Sequence, residues 1–184
     1  MEGRAGEAAA ERAAAGPIAL RAYVLTFVIG AVLGVAAGVA LGIFVYPYAF
    51  LADIVAKEKV EKPPAGAPER KVLARGTFVH ANPSDPIHYG KGRVTVYENL
   101  LHLEPDFEVG PGPKYHVYLV PEAEVLPSTN VAKSMFVDLG RLRAFKGSQN
   151  YEVPAGVDVT KYASAVVWCE QFGVLISPAK LTPP

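Results

Sequence analysis

Apolar and polar residues divide this chain into two unlike halves. From Ala22 to Ala52 no side chain carries a charge. About 20 apolar residues already suffice to cross the hydrocarbon layer as a helix, so the pattern predicts a transmembrane anchor over residues 22–46, after a short tail of residues 1–21. Pro47 is placed to end the helix, and Tyr46 and Tyr48 suit the interface, where a ring is half buried and its hydroxyl wet. A cleavable leader has a shorter apolar core and a small-x-small exit. Here Ile43, Phe44, Val45 and Tyr46 continue past the small residues, which points to an uncleaved signal anchor.

Beyond residue 71 the pattern changes to short apolar or alternating runs divided by Gly and Pro. Strands are predicted over Val72 to His80, Gly92 to Tyr97, Leu100 to Leu103, Lys114 to Val120, Met135 to Leu139, Gln149 to Val153, Ala163 to Glu170 and Gly173 to Ile176. β-branched and aromatic residues dominate them, and no window keeps a helical period. The expected fold over residues 72–182 is therefore an all-β antiparallel sandwich or flattened barrel. Residues 47–71 mix charges with Pro63, Pro64 and Pro68. This is the composition of a charged, proline-containing linker.

Within the anchor, Gly30, Gly34, Gly38 and Gly42 recur at every fourth position. Such a stripe lets a second helix backbone approach closely, so a homodimer paired along it is one expectation. Membrane helices are also glycine-rich without pairing. Arg4, Arg12 and Arg21 precede the span and Lys57, Lys59 and Lys62 follow it, close to a tie for orientation. A small β-rich domain after an N-terminal anchor favours a single-pass protein whose C-terminal domain is extracytoplasmic, periplasmic if the source is bacterial. The lipid bilayer is then one partner. The 18 basic and 18 acidic residues balance. No basic stripe with interleaved aromatics appears, which argues against nucleic acid.

The chain holds one cysteine, Cys169, so an internal disulfide is impossible. The thiol is buried and inert, bonded to another molecule, or bound to a metal or cofactor. In an extended strand Ala165, Val167 and Cys169 share one face, and Val166, Trp168, Glu170 and Phe172 the other. A thiol aligned with Ala and Val is expected to face the core, where burial raises its pKa and lowers its reactivity. There is no Gly-x-Ser-x-Gly elbow, His-Glu-x-x-His or phosphate loop. The chain therefore offers no motif of a stand-alone enzyme.

Several short blocks carry a resemblance that composition does not. They are Gly76-Thr77-Phe78-Val79-His80, Gly92-Arg93-Val94-Thr95-Val96-Tyr97, Leu101-His102-Leu103, Asp106-Phe107, Gly112-Pro113-Lys114-Tyr115-His116-Val117-Tyr118-Leu119, Leu139-Gly140-Arg141-Leu142, Gly147-Ser148-Gln149-Asn150-Tyr151-Glu152-Val153-Pro154, and Val166-Val167-Trp168-Cys169-Glu170-Gln171-Phe172. In order and spacing these blocks resemble the DM-thirteen, or electron-transfer DM, domain family. Lys114 departs from it, standing where an acidic or amide residue is expected after Gly-Pro.

The resemblance implies an extracytoplasmic β-sandwich serving electron transfer through a cysteine, as a bare thiol or as ligand to a prosthetic group such as haem. Cys169 stands at that cysteine. A haem or metal ion would supply the charge that holds a thiolate, and His80 and His116 are the preferred co-ligands among the four histidines. Redox or binding partners are otherwise unspecified. The alternative is a non-catalytic binding or adhesion module in which Cys169 is packing.

Overall fold

The computed structural model describes residues 3–62 and 69–184, and side chains of the first helix from Leu20 onward. The proline-bearing run 63–68 of the expected linker lies outside the described residues. The chain divides into two compact units, Met1–Ile43 and Phe44–Pro184.

The first unit belongs to helix α1, Gly3–Tyr46. The helix begins inside the expected tail because that segment is rich in alanine, the strongest helix former. Helical winding continues, one residue wider per turn, over Pro47–Leu51. Over Leu20–Leu51 its mean hydropathy is 2.6, and among the described residues this is the one helix long and apolar enough to cross a membrane. A Cβ added at Gly30, Gly34, Gly38 or Gly42 would meet nothing within 4 Å.

The second unit is a β domain of ten strands. They are β1 (Val55–Lys57), β2 (Val72–Phe78), β3 (Gly90–Tyr97), β4 (Leu100–Leu103), β5 (Glu108–Val109), β6 (Tyr115–Val120), β7 (Val137–Arg141), β8 (Lys146–Glu152), β9 (Ser164–Cys169) and β10 (Val174–Thr182). They form one sheet in the order β1-β8-β4-β3-β2-β10-β9-β6-β7, with β5 bridging β3 and β8. The path curls on itself: β7, its last strand, approaches β8, the second. One core is therefore shared by Phe78, Val96, Leu101, Val109, Tyr115, Tyr151, Val167 and Ile176, each from a different strand. Burying each such side chain contributes about 1.5–3 kcal/mol. This is the expected sandwich-like or flattened-barrel domain, antiparallel throughout except at one edge.

That edge is β1, which pairs parallel with β8, Val55 opposite Lys146 and Lys57 opposite Ser148. It lies inside the stretch expected to be linker. The Glu58 amide donates to the Ser148 carbonyl at 3.0 Å. Its carboxylate receives Arg143 Nε at 3.0 Å and Nη2 at 2.9 Å, and the Asn150 amide at 2.8 Å. A forked arginine contact of this kind is geometrically specific. The segment after the helix is thus held by the sheet rather than hanging free of it.

β10 also runs longer than expected, through Ser177-Pro178, a pair with turn chemistry. A bulge between Leu175 and Ser177 shifts the register there, the setting in which a sheet accepts proline. β9 is buried on both faces. A second cluster, Tyr118, Val120, Val125, Val131, Val166, Trp168 and Leu175, covers the outer side of β6, β9 and β10. Val125 and Val131 come from the connection between β6 and β7, which folds back over the sheet.

Candidate functional site

The site forms where β6 lies between β7 and β9. Tyr115 is opposite Cys169, His116 opposite Trp168, and Tyr118 opposite Asp138. Directly opposed residues of an antiparallel pair share a face. Tyr115 and Cys169 therefore point into the core, and His116 points to the other side.

Cys169 has no exposed surface and packs in the main core with Ala165 and Val167. Its thiol donates to the Pro113 carbonyl at 3.3 Å. Burial pushes the thiol pKa up, while the backbone N–H groups of Phe172 and Gln171 act on the sulfur in the opposite direction. Those two residues belong to the turn between β9 and β10, closed by the Gly173 amide on the Cys169 carbonyl at 2.8 Å. Gly173 has φ +63°, a conformation glycine adopts without strain.

The loop before β6 meets the thiol through the Pro113 carbonyl and forms its roof there. A Cβ at Gly112 would run into the Tyr115 hydroxyl, so only glycine fits over the ring. The Tyr115 hydroxyl is buried with no hydrogen-bond partner, and burial raises its pKa strongly. Lys114 ends the roof in a left-handed conformation, φ +50°. Its carbonyl receives the Glu170 amide at 3.1 Å, and its ammonium lies 3.1 Å from Glu170 Oε2. Glu170 thus fastens the roof from the residue next to the thiol.

On the outer face the side chains are polar and shared. His116 Nδ1 lies 3.0 Å from Asp138 Oδ2, and His116 Nε2 lies 3.5 Å from Glu170 Oε2. The Tyr118 hydroxyl donates to Glu170 Oε1 at 2.8 Å, and the Gly140 amide to Asp138 Oδ1 at 2.8 Å. The Tyr118 hydrogen bond, then that of Lys114, holds the Glu170 carboxyl below its usual range. Ligand atoms of His116, Asp138 and Glu170 lie within 4.8 Å of one another.

The residues singled out by sequence are not brought together. His116 and Cys169 occupy opposite faces of the sheet. His80 follows β2, with Nε2 2.8 Å from the Asp85 carbonyl and its ring edge-on to Tyr89. A haem does not fit at Cys169. The sulfur is a filled core position, its proton already directed at Pro113, and His116 faces away. Asp138 and Glu170 are the groups that meet His116. The signal that finds them is strand register: His116, Tyr118 and Glu170 fall on the outer face once β6 and β9 are aligned.

The chain thus carries a β domain with one core thiol, preceded in sequence by a helix of membrane-spanning length. The chain belongs to the Electron transfer DM13 family, whose model matches residues 83–181, more than half of the chain. No curated protein and no solved structure matches it.

Proposed function

We propose that the chain is a membrane-anchored, extracytoplasmic electron-transfer module in which Cys169 is the redox group and residues 110–114 its cover. The observation that carries this reading is the setting of the sulfur. Its proton is directed at the Pro113 carbonyl, in a loop fastened at its end by Lys114 and Glu170, with two backbone N–H groups of the β9–β10 turn acting on it. When the roof lifts, the thiol gives its proton to solvent and the thiolate attacks one sulfur of a partner disulfide. A new S–S bond forms, the old one breaks, and the departing partner thiolate takes up a proton. Cys169 is oxidised and the departing partner sulfur reduced.

Oxidised glutathione serves as the probe disulfide for the folded full chain in detergent. The mass of the mixed disulfide is expected to appear, several-fold faster in Lys114→Gln, which unfastens the roof. Modification only after denaturation overturns the redox role. It establishes the second reading, a binding module with Cys169 as packing, which the complete burial of the thiol favours.

In this proposal α1 is a single-pass anchor, and anchors of two chains pair along Gly30, Gly34, Gly38 and Gly42. A C-terminal reporter enzyme active only outside the cytoplasm is expected to be active; an expressed but inactive fusion overturns the orientation. The Gly34→Ile, Gly38→Ile double variant is expected to lose detergent-resistant dimers, and unchanged dimers remove the pairing.

A further inference from the structure

The geometry points to a second site: we infer that His116 and Glu170 bind a divalent transition-metal ion of the zinc, copper or nickel class on the outer face of β6 and β9, with Asp138 orienting the histidine ring. The Nε2–Oε2 separation of 3.5 Å is at the outer limit of a hydrogen bond. It is also about the separation of two ligands at ~2.0–2.2 Å from one tetrahedral ion.

The groups behind these two atoms are already arranged. Asp138 accepts from His116 Nδ1–H at 3.0 Å, the carboxylate partner that fixes the tautomer and turns the Nε2 lone pair outward. Asp138 is itself held by the Gly140 amide. Glu170 is held through its other oxygen by the Tyr118 hydroxyl, leaving Oε2 for the ion. Tyr118 in turn stacks on Phe136, ring centroids 4.4 Å apart. Ligands and supports come from two adjacent strands, β6 and β7, and from the turn that ends β9, so the sheet itself sets their spacing. Imidazole with carboxylate suits zinc, copper and nickel, and water completes the coordination.

Lys114 is the built-in competitor. Its ammonium, 3.1 Å from the same Oε2, occupies the place the ion would take. It is the most exposed member of the group and moves aside without disturbing the sheet. A surface ion cluster with no metal role would weaken when Lys114 is removed, whereas a metal site would strengthen. That opposite sign separates the two.

The test is titration of the tag-free full chain in detergent with Co2+, followed by visible absorption, then displacement by Zn2+. Wild type is expected to take up one ion per chain without a sulfur-to-cobalt charge-transfer band. His116→Gln should abolish uptake, Asp138→Asn weaken it by about 10–100-fold, and Lys114→Gln tighten it several-fold. Cys169→Ala should leave the spectrum unchanged, which keeps this inference separate from the redox reading. No uptake by wild type, or equal uptake by His116→Gln, overturns it. Lys114→Gln keeps the test informative if His116→Gln folds poorly: tighter binding without a sulfur-to-cobalt band supports the site, because a misfolded chain would expose Cys169 and show that band, and unchanged or weaker binding counts against the site.

Discussion

The two faces of the β6–β9 pair are built from alternate residues of the same strands and follow opposite rules. Inside, Tyr115 and Cys169 sit in a packed core where the Tyr115 hydroxyl finds no partner among the described residues. Outside, His116, Asp138, Glu170, Tyr118 and Lys114 join their polar atoms in one network, in which Glu170 meets Tyr118, Lys114 and His116. One position along β9, from Cys169 to Glu170, crosses from one regime to the other. Burial governs the inner face, and charge pairing the outer.

The sharpest way to break this contrast is to empty each face in turn. Tyr115→Ala should cost about 3–5 kcal/mol, as large-to-small core changes do. His116→Ala should cost no more than about 1 kcal/mol, the usual worth of a partly exposed ion pair. Denaturant unfolding of the full chain in detergent reads both, and equal losses would end the distinction.

A finer test removes only hydroxyls. Tyr115→Phe deletes a buried group that makes no hydrogen bond and should stabilise the domain by about 1 kcal/mol, because the desolvation cost of that group disappears. Tyr118→Phe deletes the donor to Glu170 and should destabilise it by about 1 kcal/mol. Changes of the same sign would show that the two phenols are not in different settings.

The smallest effect lies in the pH profile, where the faces act on opposite limbs. The Glu170 carboxyl is held low in the fold by Tyr118 and then Lys114. Its contribution is present above the unfolded carboxyl pKa of about 4.3 and lost as pH falls through the lower folded value. The Cys169 thiol is raised by burial, so its contribution is present below the unfolded thiol pKa of about 8.5 and lost as pH rises through the folded value. Glu170→Gln should flatten the acid limb, and Cys169→Ala the alkaline limb. Asp85, held at about 2 chiefly by its hydrogen bond to His88, keeps part of the acid limb in both variants.

Much of this was legible in the chain. Period-two alternation places Ala165, Val167 and Cys169 together, and the structure puts all three in the main core, with Val166 and Trp168 in the second cluster. The short strands β1 and β5 were not legible. Val55-Ala56-Lys57 is too brief to show a period, and its partner lies about 90 positions along the chain. The extent of β10 was hidden because Ser177-Pro178 imitates a turn unless the bulge before it is known. The outer-face cluster was hidden for a different reason. His116, Asp138 and Glu170 are unremarkable singly, and only the registers of β6 with β7 and β9 bring them together.

The parallel edge strand β1 changes what a break in the chain would mean. A protease cut between Lys62 and Glu69 makes two polypeptides. Val55–Lys57 nevertheless stays laddered to β8 and Glu58 stays forked on Arg143, so the nicked fragments remain together until the sheet melts. A plain tether would release its cargo at the first cut. Here the helix-bearing fragment is also a piece of the domain's own fold, and the domain would part from the helix only by unfolding its edge.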